Sequence, residues 1–110
     1  MPAYRTALVY VRGNFAGKLS ETDEGYVFSY DDKYYESTEA TPVSLTLPFT
    51  QKTYNSKTLF AFFDGLIPEG WLLNVVTKSW KINRNDRFGI LLVACKDCIG
   101  NVSIEEEVAE

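Results

Sequence analysis

The spacing of the apolar residues changes midway along the chain, and this change restricts the fold more than any other feature. In the first half, apolar and polar residues alternate in short runs, which is the pattern of β-strands. From about residue 56 onward, apolar residues recur every three to four positions, which is the pattern of amphipathic helices. This order indicates an α+β fold, in which a mainly antiparallel sheet of about five short strands packs against about three helices.

Four of the strands are predicted in the first half and one near the C-terminus. The first four are YRTALVYV, FAGKLS, YVFSY and VSLTLP, which start at residues 4, 15, 26 and 43. Gly13-Asn14 fits a tight hairpin turn between the first two strands. Pro48 should end the fourth, because proline cannot donate a hydrogen bond to the ladder. The fifth predicted strand is NVSIE, from residue 101.

Alternation also assigns side chains to faces of the sheet. The first strand has apolar residues at both parities, which predicts that it is covered on two faces. The sets expected to share a face are Phe15, Gly17 and Leu19; Tyr26, Phe28 and Tyr30; Val43, Leu45 and Leu47; and Val102 and Ile104.

Three helices are predicted in the second half. Ser56 is the expected N-cap of KTLFAFFDG, which Gly65 should end. Pro68 can open a second helix over roughly residues 68–80, and Asn85 or Asp86 can cap a third. The expected core faces are Leu59, Phe62, Phe63 and Leu66 in the first, Leu72, Val75, Val76 and Trp80 in the second, and Phe88, Leu91, Leu92 and Cys95 in the third.

Length and charge predict one domain with a short acidic end. The 110 residues are 45% apolar, which suffices for one core, and 11 basic residues against 15 acidic ones give a net charge of −4. Four of those acids lie in EEEVAE, so we assign residues 1–104 to the domain and 105–110 to an acidic, solvated tail. Neither a bilayer-spanning segment nor a signal peptide is evident, so we expect a cytoplasmic protein.

Few residues suit catalysis or the binding of a cofactor. The chain has no histidine, and neither a phosphate-binding loop nor a dinucleotide fingerprint is present. Cys95 and Cys98 have C-x-x-C spacing, but a zinc site needs two further ligands, so we interpret them as reduced structural thiols. Asp64 and Glu69 could pair as catalytic carboxylates, although positions at a helix end and a helix start explain them better. We therefore expect no enzymatic activity, no cofactor and no metal.

A basic run surrounds the loop between the second and third predicted helices. Its members are Lys78, Lys81, Arg84 and Arg87, and Trp80 lies among them. Four cations on a net anionic chain predict weak, salt-sensitive contact with nucleic acid at most, because affinity depends on neutralising many phosphates. Solvated cations near a helix C-terminus are the simpler interpretation, and no direct nucleic-acid binding is expected.

Protein binding is the remaining class, and the segment FFDGLIPEGWLLN, residues 62–74, is the best candidate for it. In a helix that starts near Pro68, Trp71 shares a face with Asn74 and Lys78, away from the predicted core face. Tryptophan is enriched at interface anchors, but Trp71 could equally fold back and complete the core of this domain. The predicted protein-binding residues are Asp64, Ile67, Pro68, Glu69, Trp71 and Asn74.

Four segments, in order, resemble the N-terminal subdomain of the HipA-like serine/threonine kinases, which are bacterial persistence toxins. The segments are YVFSYDDKYYES, PVSLTLP, FFDGLIPEGW and DRFGILLVACKDCIGNVSI. The resemblance covers nearly the whole chain, and the VSLTLP and FFDGLIPEG segments are its most specific parts. Two positions depart from the family pattern, because Cys95 replaces a usual glycine and Asn101 a usual alanine.

The resemblance implies a function in binding. In the family this subdomain precedes a kinase core that holds the ATP-binding and catalytic residues, and none of those is in this sequence. A chain with its own Met1 and an acidic end is most similar to the stand-alone HipS antitoxins of tripartite HipBST toxin–antitoxin systems. The implied partners are a HipT kinase, neutralised by docking on its N-lobe, and HipB, a helix-turn-helix DNA-binding protein in the same complex.

Three alternatives to the antitoxin function remain. The chain could be a non-inhibitory scaffold that stabilises the kinase or bridges it to HipB. It could be an isolated N-terminal subdomain of a HipA kinase. It could also make an accessory contact to nucleic acid through the basic run around Trp80.

Overall fold

A single antiparallel sheet forms the centre of the fold. The computed structural model describes residues 4–67, 70–83, 85–94 and 102–107, with the backbone alone at positions 70–72, 76 and 94. Within these residues the strands are β1 (Thr6–Val11), β2 (Asn14–Thr22), β3 (Gly25–Tyr30), β4 (Thr53–Ser56) and β5 (Val102–Glu106). Their order across the sheet is β4-β3-β2-β1-β5, and each neighbouring pair is antiparallel.

Four helices are described, one more than predicted. They are α1 (Asp32–Glu36), α2 (Ala61–Asp64), α3 (Gly70–Trp80) and α4 (Arg87–Ala94). The unpredicted helix is α1, which follows β3 directly, where the Asp31-Asp32 pair is typical of a turn. The Asp31 side chain caps it by accepting a hydrogen bond from the Tyr34 N–H, at 3.4 Å. The α+β class and the five-stranded antiparallel sheet are confirmed.

The core lies on one face of the sheet. In β1, Ala7, Val9 and Val11 are buried, while Leu8 and Tyr10 are half-buried on the opposite face. The expectation that β1 is covered on two faces is therefore wrong for the described residues. The core face is completed by Leu19, Phe28, Tyr30, Val102 and Ile104 from the other strands and by Phe63, Phe88, Leu91 and Leu92 from the helices.

The hairpin between β1 and β2 turns one residue earlier than predicted. Its two central residues are Arg12 and Gly13, with φ of 52° and 81°, rather than Gly13 and Asn14. Positive φ at both positions matches the right-handed twist of the flanking strands, which explains why this register wins.

A β-bulge in β2 explains a second error. Val9 pairs with Gly17 and Tyr10 with Phe15, so Ala16 is the extra residue. Ala16 is buried in the core, and the Phe15 ring instead meets the Tyr10 ring on the other face, with centroids 5.7 Å apart. Phe15 therefore does not share a face with Leu19, because the bulge inverts the alternation.

The segment VSLTLP is not a strand, although Val43 and Leu47 are buried as the alternation required. The fourth strand is β4, ten residues further along the chain. The backbone of residues 41–49, which we call the tyrosine-braced loop, bonds to tyrosine hydroxyls instead of to a neighbouring strand. Pro42 and Pro48 bracket the segment and lack the N–H groups that a ladder needs.

Four tyrosines brace this loop. Tyr30 donates to the Leu47 carbonyl and accepts from the Val43 N–H at 2.9 Å. The Tyr34 hydroxyl donates to the Thr41 carbonyl at 2.6 Å, and the Tyr35 hydroxyl donates to the Phe49 carbonyl at 2.8 Å. The Tyr54 hydroxyl donates to the Pro48 carbonyl. The Phe49 ring also packs edge-on against Tyr30, with centroids 4.9 Å apart. These bonds satisfy buried backbone groups that would otherwise destabilise the fold.

The predicted start of the first helix is also wrong. Ser56 lies at the end of β4 and pairs with Tyr26, and helix α2 begins five residues later at Ala61. Gly65 ends α2 as predicted, with its N–H donating to the Ala61 carbonyl at 2.9 Å. Of the predicted face of this helix, Phe63 is fully buried and Leu59, Phe62 and Leu66 are partly buried against the core.

Two of the four residues predicted for the core face of α3 are exposed, and the side chains of the other two, Leu72 and Val76, lie outside the described residues. Leu73 and Thr77 are buried, whereas Val75 is 47% and Trp80 58% exposed. The buried Thr77 hydroxyl donates to the Leu73 carbonyl at 2.9 Å, so a threonine enters the core without an unpaired polar atom. Hydrophobicity favoured tryptophan and valine over this threonine, so the prediction included Val75 and Trp80 and missed Thr77.

Helix α4 is fixed to the sheet by a cluster that we call the Arg5 clamp. Arg5 donates to Glu21 of β2 through Nε and Nη2 at 2.7 and 2.9 Å, and to Asp86 through Nη1 and Nη2 at 2.9 and 2.7 Å. Its guanidinium lies 5.3 Å from the centre of the Phe88 ring. Asp86 also accepts the Gly89 N–H at 3.1 Å, which confirms it as the cap of α4.

Gly89 permits this closure because a Cβ there would lie 2.3 Å from the Asp86 carboxylate. The pKa of both Glu21 and Asp86 is lowered, chiefly by the hydrogen bonds that Arg5 donates.

Strand β5 extends into the segment that was assigned to the acidic tail. Glu105 and Glu106 belong to the strand, and the Glu107 N–H donates to the Thr6 carbonyl at 2.8 Å. The Glu107 carboxylate also contacts the Lys18 ammonium at 2.6 Å. The sheet therefore includes the first part of the tail.

Candidate functional site

The predicted protein-binding segment joins the end of α2 to α3. Of its residues, Asp64 is half-buried at the end of α2, Ile67 is 4% exposed, and Asn74 is exposed on α3. Ile67 belongs to the core and supplies no surface for a partner. Pro68, Glu69 and the side chain of Trp71 lie outside the described residues, so the binding role of the segment stays a prediction.

Asp64 links α2 to α4. Its Oδ1 accepts a hydrogen bond from Arg87 Nε at 2.8 Å, and both side chains are partly exposed. Arg87, at the first position of α4, is thus paired with a carboxylate instead of extending the predicted basic run. The Arg5 clamp sets the start of α4, and through Arg87 it also helps to fix the position of Asp64.

An open groove of about 540 Å³, which we call the docking groove, runs from Asp64 to the tyrosine-braced loop. Residues that line it include Thr46, Leu47, Tyr54, Leu59, Phe60 and Asp64. Among its lining residues Asp64 carries the one formal charge, and the rest are apolar or hydroxyl-bearing. A second groove, of about 460 Å³, lies on the other side of Asp64 and is bordered by Lys57, Asp86 and Arg87. Asp64 therefore stands between a neutral surface and a charged one.

Leu45 directly precedes Thr46 and Leu47, which line the loop end of the docking groove, and it is 97% exposed. A turn presents it, in which the Leu47 N–H donates to the Ser44 carbonyl at 3.0 Å and the Thr46 N–H to the Ser44 hydroxyl at 3.2 Å. Leu45 was expected to share a face with Val43 and Leu47, so the sequence did not mark it as surface. Pro42 and Pro48 were the available signal, since they disfavour a strand between them.

Trp80 is a second exposed residue that the periodicity placed in the core. It lies at the end of α3, between the exposed Lys78 and Lys81. Arg84 lies outside the described residues. The basic run thus contributes two exposed lysines beside an exposed tryptophan in the part of the chain that is described.

The described residues offer neither a metal site nor a membrane span. They hold no group of three or more Cys, Asp or Glu side chains that could bind a metal ion. Cys95 and Cys98 are outside the described ranges. None of the helices in those ranges has the length and apolar character needed to cross a bilayer.

Comparison with known proteins identifies the family. The model of the HipA N-terminal domain matches residues 7–105, which include the sheet, the tyrosine-braced loop, the docking groove and the Arg5 clamp except for Arg5 itself. The chain belongs to the HipA N-terminal domain family. An uncharacterized protein of Haemophilus influenzae (strain ATCC 51907 / DSM 11121 / KW20 / Rd) is 37% identical over 103 residues, which are 94% of this chain and 93% of that protein.

A solved HipA N-terminal domain has the same architecture. The structure, described as the N-terminal domain of HipA toxin, superposes with a TM-score of 0.72 at 28% identity. The match covers 100% of this chain and 99% of that chain. The resemblance that the sequence motifs indicated is confirmed at the level of the HipA N-terminal domain.

Proposed function

We propose that this chain is an antitoxin that binds and neutralises a HipA-like serine/threonine kinase of the HipT type. The main support is the match to 99% of a HipA toxin's N-terminal domain at a TM-score of 0.72. In the family that domain accompanies a kinase core, so the same fold has a surface suited to a kinase. The inference from a shared fold to a kinase partner is an analogy, so the residues that contact the kinase have to be identified from the surface of this chain.

The docking groove and the Asp64 edge beside it are the surface that suits such a partner best. They combine an exposed leucine, partly buried aromatic side chains and one ion pair. A stable interface buries about 800 Å² on each partner, which is roughly one ninth of the 7241 Å² surface of this chain. The groove and the neighbouring Leu45 make a patch in which such an interface can be built.

The proposed mechanism needs no catalytic step from this chain and no cofactor. Binding to the kinase N-lobe would stabilise one arrangement of the nucleotide and substrate cleft, and kinase activity falls to the extent that this arrangement is inactive. Asp64 orients the contact at the α2 end, where its pairing with Arg87 keeps the carboxylate in place.

Co-expression tests the proposal directly. We expect a HipA-like kinase to be encoded next to this chain and to arrest growth when expressed alone, and co-expression of this chain should restore growth. Restoration should correlate with a complex of the two proteins that is stable during size-exclusion chromatography. A kinase that stays toxic and does not bind this chain would contradict the proposal.

Trp71→Ala tests the predicted anchor. If Trp71 is a hot spot, calorimetry should show a loss of more than about 1 kcal/mol in binding free energy, with an unchanged melting temperature. A lower melting temperature with unchanged affinity would instead place Trp71 in the core of this domain.

A bridging scaffold is the second candidate function, and the exposed Trp80 with its flanking lysines favours it. These residues do not line the docking groove, so they provide a separate surface for a regulator such as HipB. A stable complex with the kinase that leaves its toxicity intact would favour the scaffold over the antitoxin.

A further inference from the structure

Leu45 combines near-complete exposure with a fixed position. A leucine that is 97% exposed leaves almost its whole side chain in water, so covering it with an apolar partner surface would be favourable. Flexible loops often carry such residues, but the backbone around Leu45 is tightly bonded. Its immediate neighbours Ser44 and Thr46 join their hydroxyls at 3.0 Å and close the turn beneath it.

The tyrosine hydroxyls hold both ends of this turn. Tyr30 bonds to Val43 on one side of Leu45 and to Leu47 on the other. Because both bonds are buried, the position of the leucine is set before any partner arrives. An apolar side chain that is already ordered binds at a lower entropic cost than one on a mobile loop.

The surroundings of Leu45 define the chemistry of the partner. The docking groove starts at Thr46 and Leu47 and continues without a formal charge until Asp64. A charged partner surface would lose its hydration over this groove without gaining an opposite charge. The groove runs from Thr46, the residue after Leu45, to Asp64, at the edge where the proposed kinase contact begins, so one partner can cover Leu45 and Asp64 together.

We propose that Leu45 is an anchor of the kinase interface and that it inserts into an uncharged apolar pocket on the kinase. This inference rests on the proposed function and extends the contact from the start of α3 to the tyrosine-braced loop. The kinase is then held at two points, by Leu45 at one end of the docking groove and by the Asp64 edge at the other.

Calorimetric titration into a catalytically inactive form of the neighbouring HipA-like kinase tests the anchor. Leu45→Ala should weaken binding at least about tenfold. Leu45→Met keeps the apolar volume and should stay within about threefold of the original chain. Tyr4→Ala is the control, because Tyr4 is 48% exposed and neither it nor the adjacent Arg5 lines the groove, and it should leave affinity within about twofold.

The melting temperature of each variant separates binding from folding. Leu45→Ala should leave it unchanged, since the side chain makes little contact in the free protein. A lower melting temperature would mean that Leu45 packs within its own domain and would overturn the proposal. Analytical ultracentrifugation of the chain alone should show no self-association, and a dimer that Leu45→Ala abolishes would assign the surface to a second copy instead.

The remaining outcomes distinguish this inference from the function on which it rests. If the original chain binds and Leu45→Ala binds equally well, the anchor is wrong and the antitoxin function stands. If the original chain does not bind the kinase, the proposed function fails and the anchor with it.

Tyr35→Phe tests the contribution of the bracing. It removes the hydrogen bond to the Phe49 carbonyl and leaves Leu45 itself intact, so affinity should fall by about twofold to fivefold. Unchanged affinity would show that preorganisation of the loop plays no part.

Discussion

The two ends of the docking groove are held by different chemistry. At one end, the Arg5 clamp fixes the start of α4, from which Arg87 reaches Asp64. At the other end, neutral tyrosine hydroxyls fix the loop that presents Leu45. Ion pairs therefore fix the Asp64 end of the groove, and hydrogen bonds from uncharged hydroxyls fix the loop end.

This difference has consequences for stability. The clamp depends on two carboxylates that must stay ionised, and water reaches part of it, since the Arg5 side chain is 32% exposed. The bracing depends on hydrogen bonds from uncharged hydroxyls, and its central member, Tyr30, is 2% exposed. The two ends of one surface should therefore respond differently to mutation and to pH.

Loss of the clamp should have the largest effect. Arg5→Leu leaves Glu21 and Asp86 facing each other without a cation, and we expect the free energy of unfolding to fall by about 2 kcal/mol. The value is below that of a fully buried pair because solvent partly screens these charges. Urea unfolding followed by circular dichroism measures it, and a loss under about 0.5 kcal/mol would show that the clamp does not fix α4.

The same variant should move Asp64. Because Arg87 begins α4, a displaced helix weakens the ion pair and should lower kinase affinity, although Arg5 lies outside the groove. Unchanged affinity in a destabilised variant would show that Asp64 is positioned by α2 alone.

Loss of the central hydroxyl should have the next largest effect. Tyr30→Phe leaves the buried Val43 N–H and Leu47 carbonyl without this partner, and we expect a cost of about 1–2 kcal/mol. The same urea experiment measures it. Tyr4→Phe, at an exposed ring, should change stability by less than about 0.3 kcal/mol and serves as the control.

Acid should weaken the clamp before it affects the bracing. Hydrogen bonds from Arg5 lower the pKa of Glu21 and Asp86 below 4.5 and 3.8, their ordinary values. Between the lowered and the ordinary pKa the unfolded chain binds more protons, so stability falls as pH falls through that range. The gap in unfolding free energy between the original chain and Arg5→Leu should be full at about pH 6 and narrow by about pH 3. A gap that does not depend on pH would contradict the charge-based account.

Alkali should test the bracing instead. Burial raises the pKa of Tyr30 from 10.0 to about 12. Between these values the unfolded tyrosine loses its proton first, so stability falls as pH rises. The difference in unfolding free energy between the original chain and Tyr30→Phe should therefore shrink above pH 10. The difference between the original chain and Arg5→Leu should not shrink, because the pKa of Arg5 is raised further by Glu21. If both differences in unfolding free energy shrink equally above pH 10, the effect cannot be assigned to the Tyr30 hydroxyl.

The sequence predicted the sheet well because its signals were local. Alternation in β3 and β5 identified Phe28, Tyr30 and Ile104 as core, and Asp86 was recognisable as a helix cap from its position alone. Each of these assignments depends on a few neighbouring residues, and in β3 and β5 the alternation of apolar and polar residues matches the alternation of faces in the structure.

The failures occurred where a distant residue determined the outcome. VSLTLP alternates like a strand, but hydroxyls from Tyr30 and Tyr54, which lie outside the segment, supply bonds that make a loop the better solution. The alternation does not record those hydroxyls, and the signal against a strand was limited to the prolines Pro42 and Pro48. The Arg5 clamp was missed for the same reason, since Arg5 and Asp86 are 81 residues apart.

The predicted contact segment is the third case. Helical spacing predicted a helix over roughly residues 68–80, and α3 is described over Gly70–Trp80, yet the spacing placed Trp80 inside and missed Thr77. The error arose because a threonine that bonds to its own helix can be buried as readily as an apolar residue. A helical pattern based on apolar side chains alone does not detect a buried threonine of this kind.

The smallest expected effect comes from an ion pair that resembles the clamp in chemistry but not in burial. Lys18 and Glu107 approach to 2.6 Å, yet their side chains are 49% and 40% exposed. Solvent screening and the entropy of two long side chains offset most of the attraction. Lys18→Ala should therefore change the free energy of unfolding by about 0.5 kcal/mol or less, and the change should vanish in high salt. A loss as large as that of Arg5→Leu would show that charge, independent of burial and bidentate geometry, stabilises this sheet, and the contrast between the two ends of the groove would then have no physical basis.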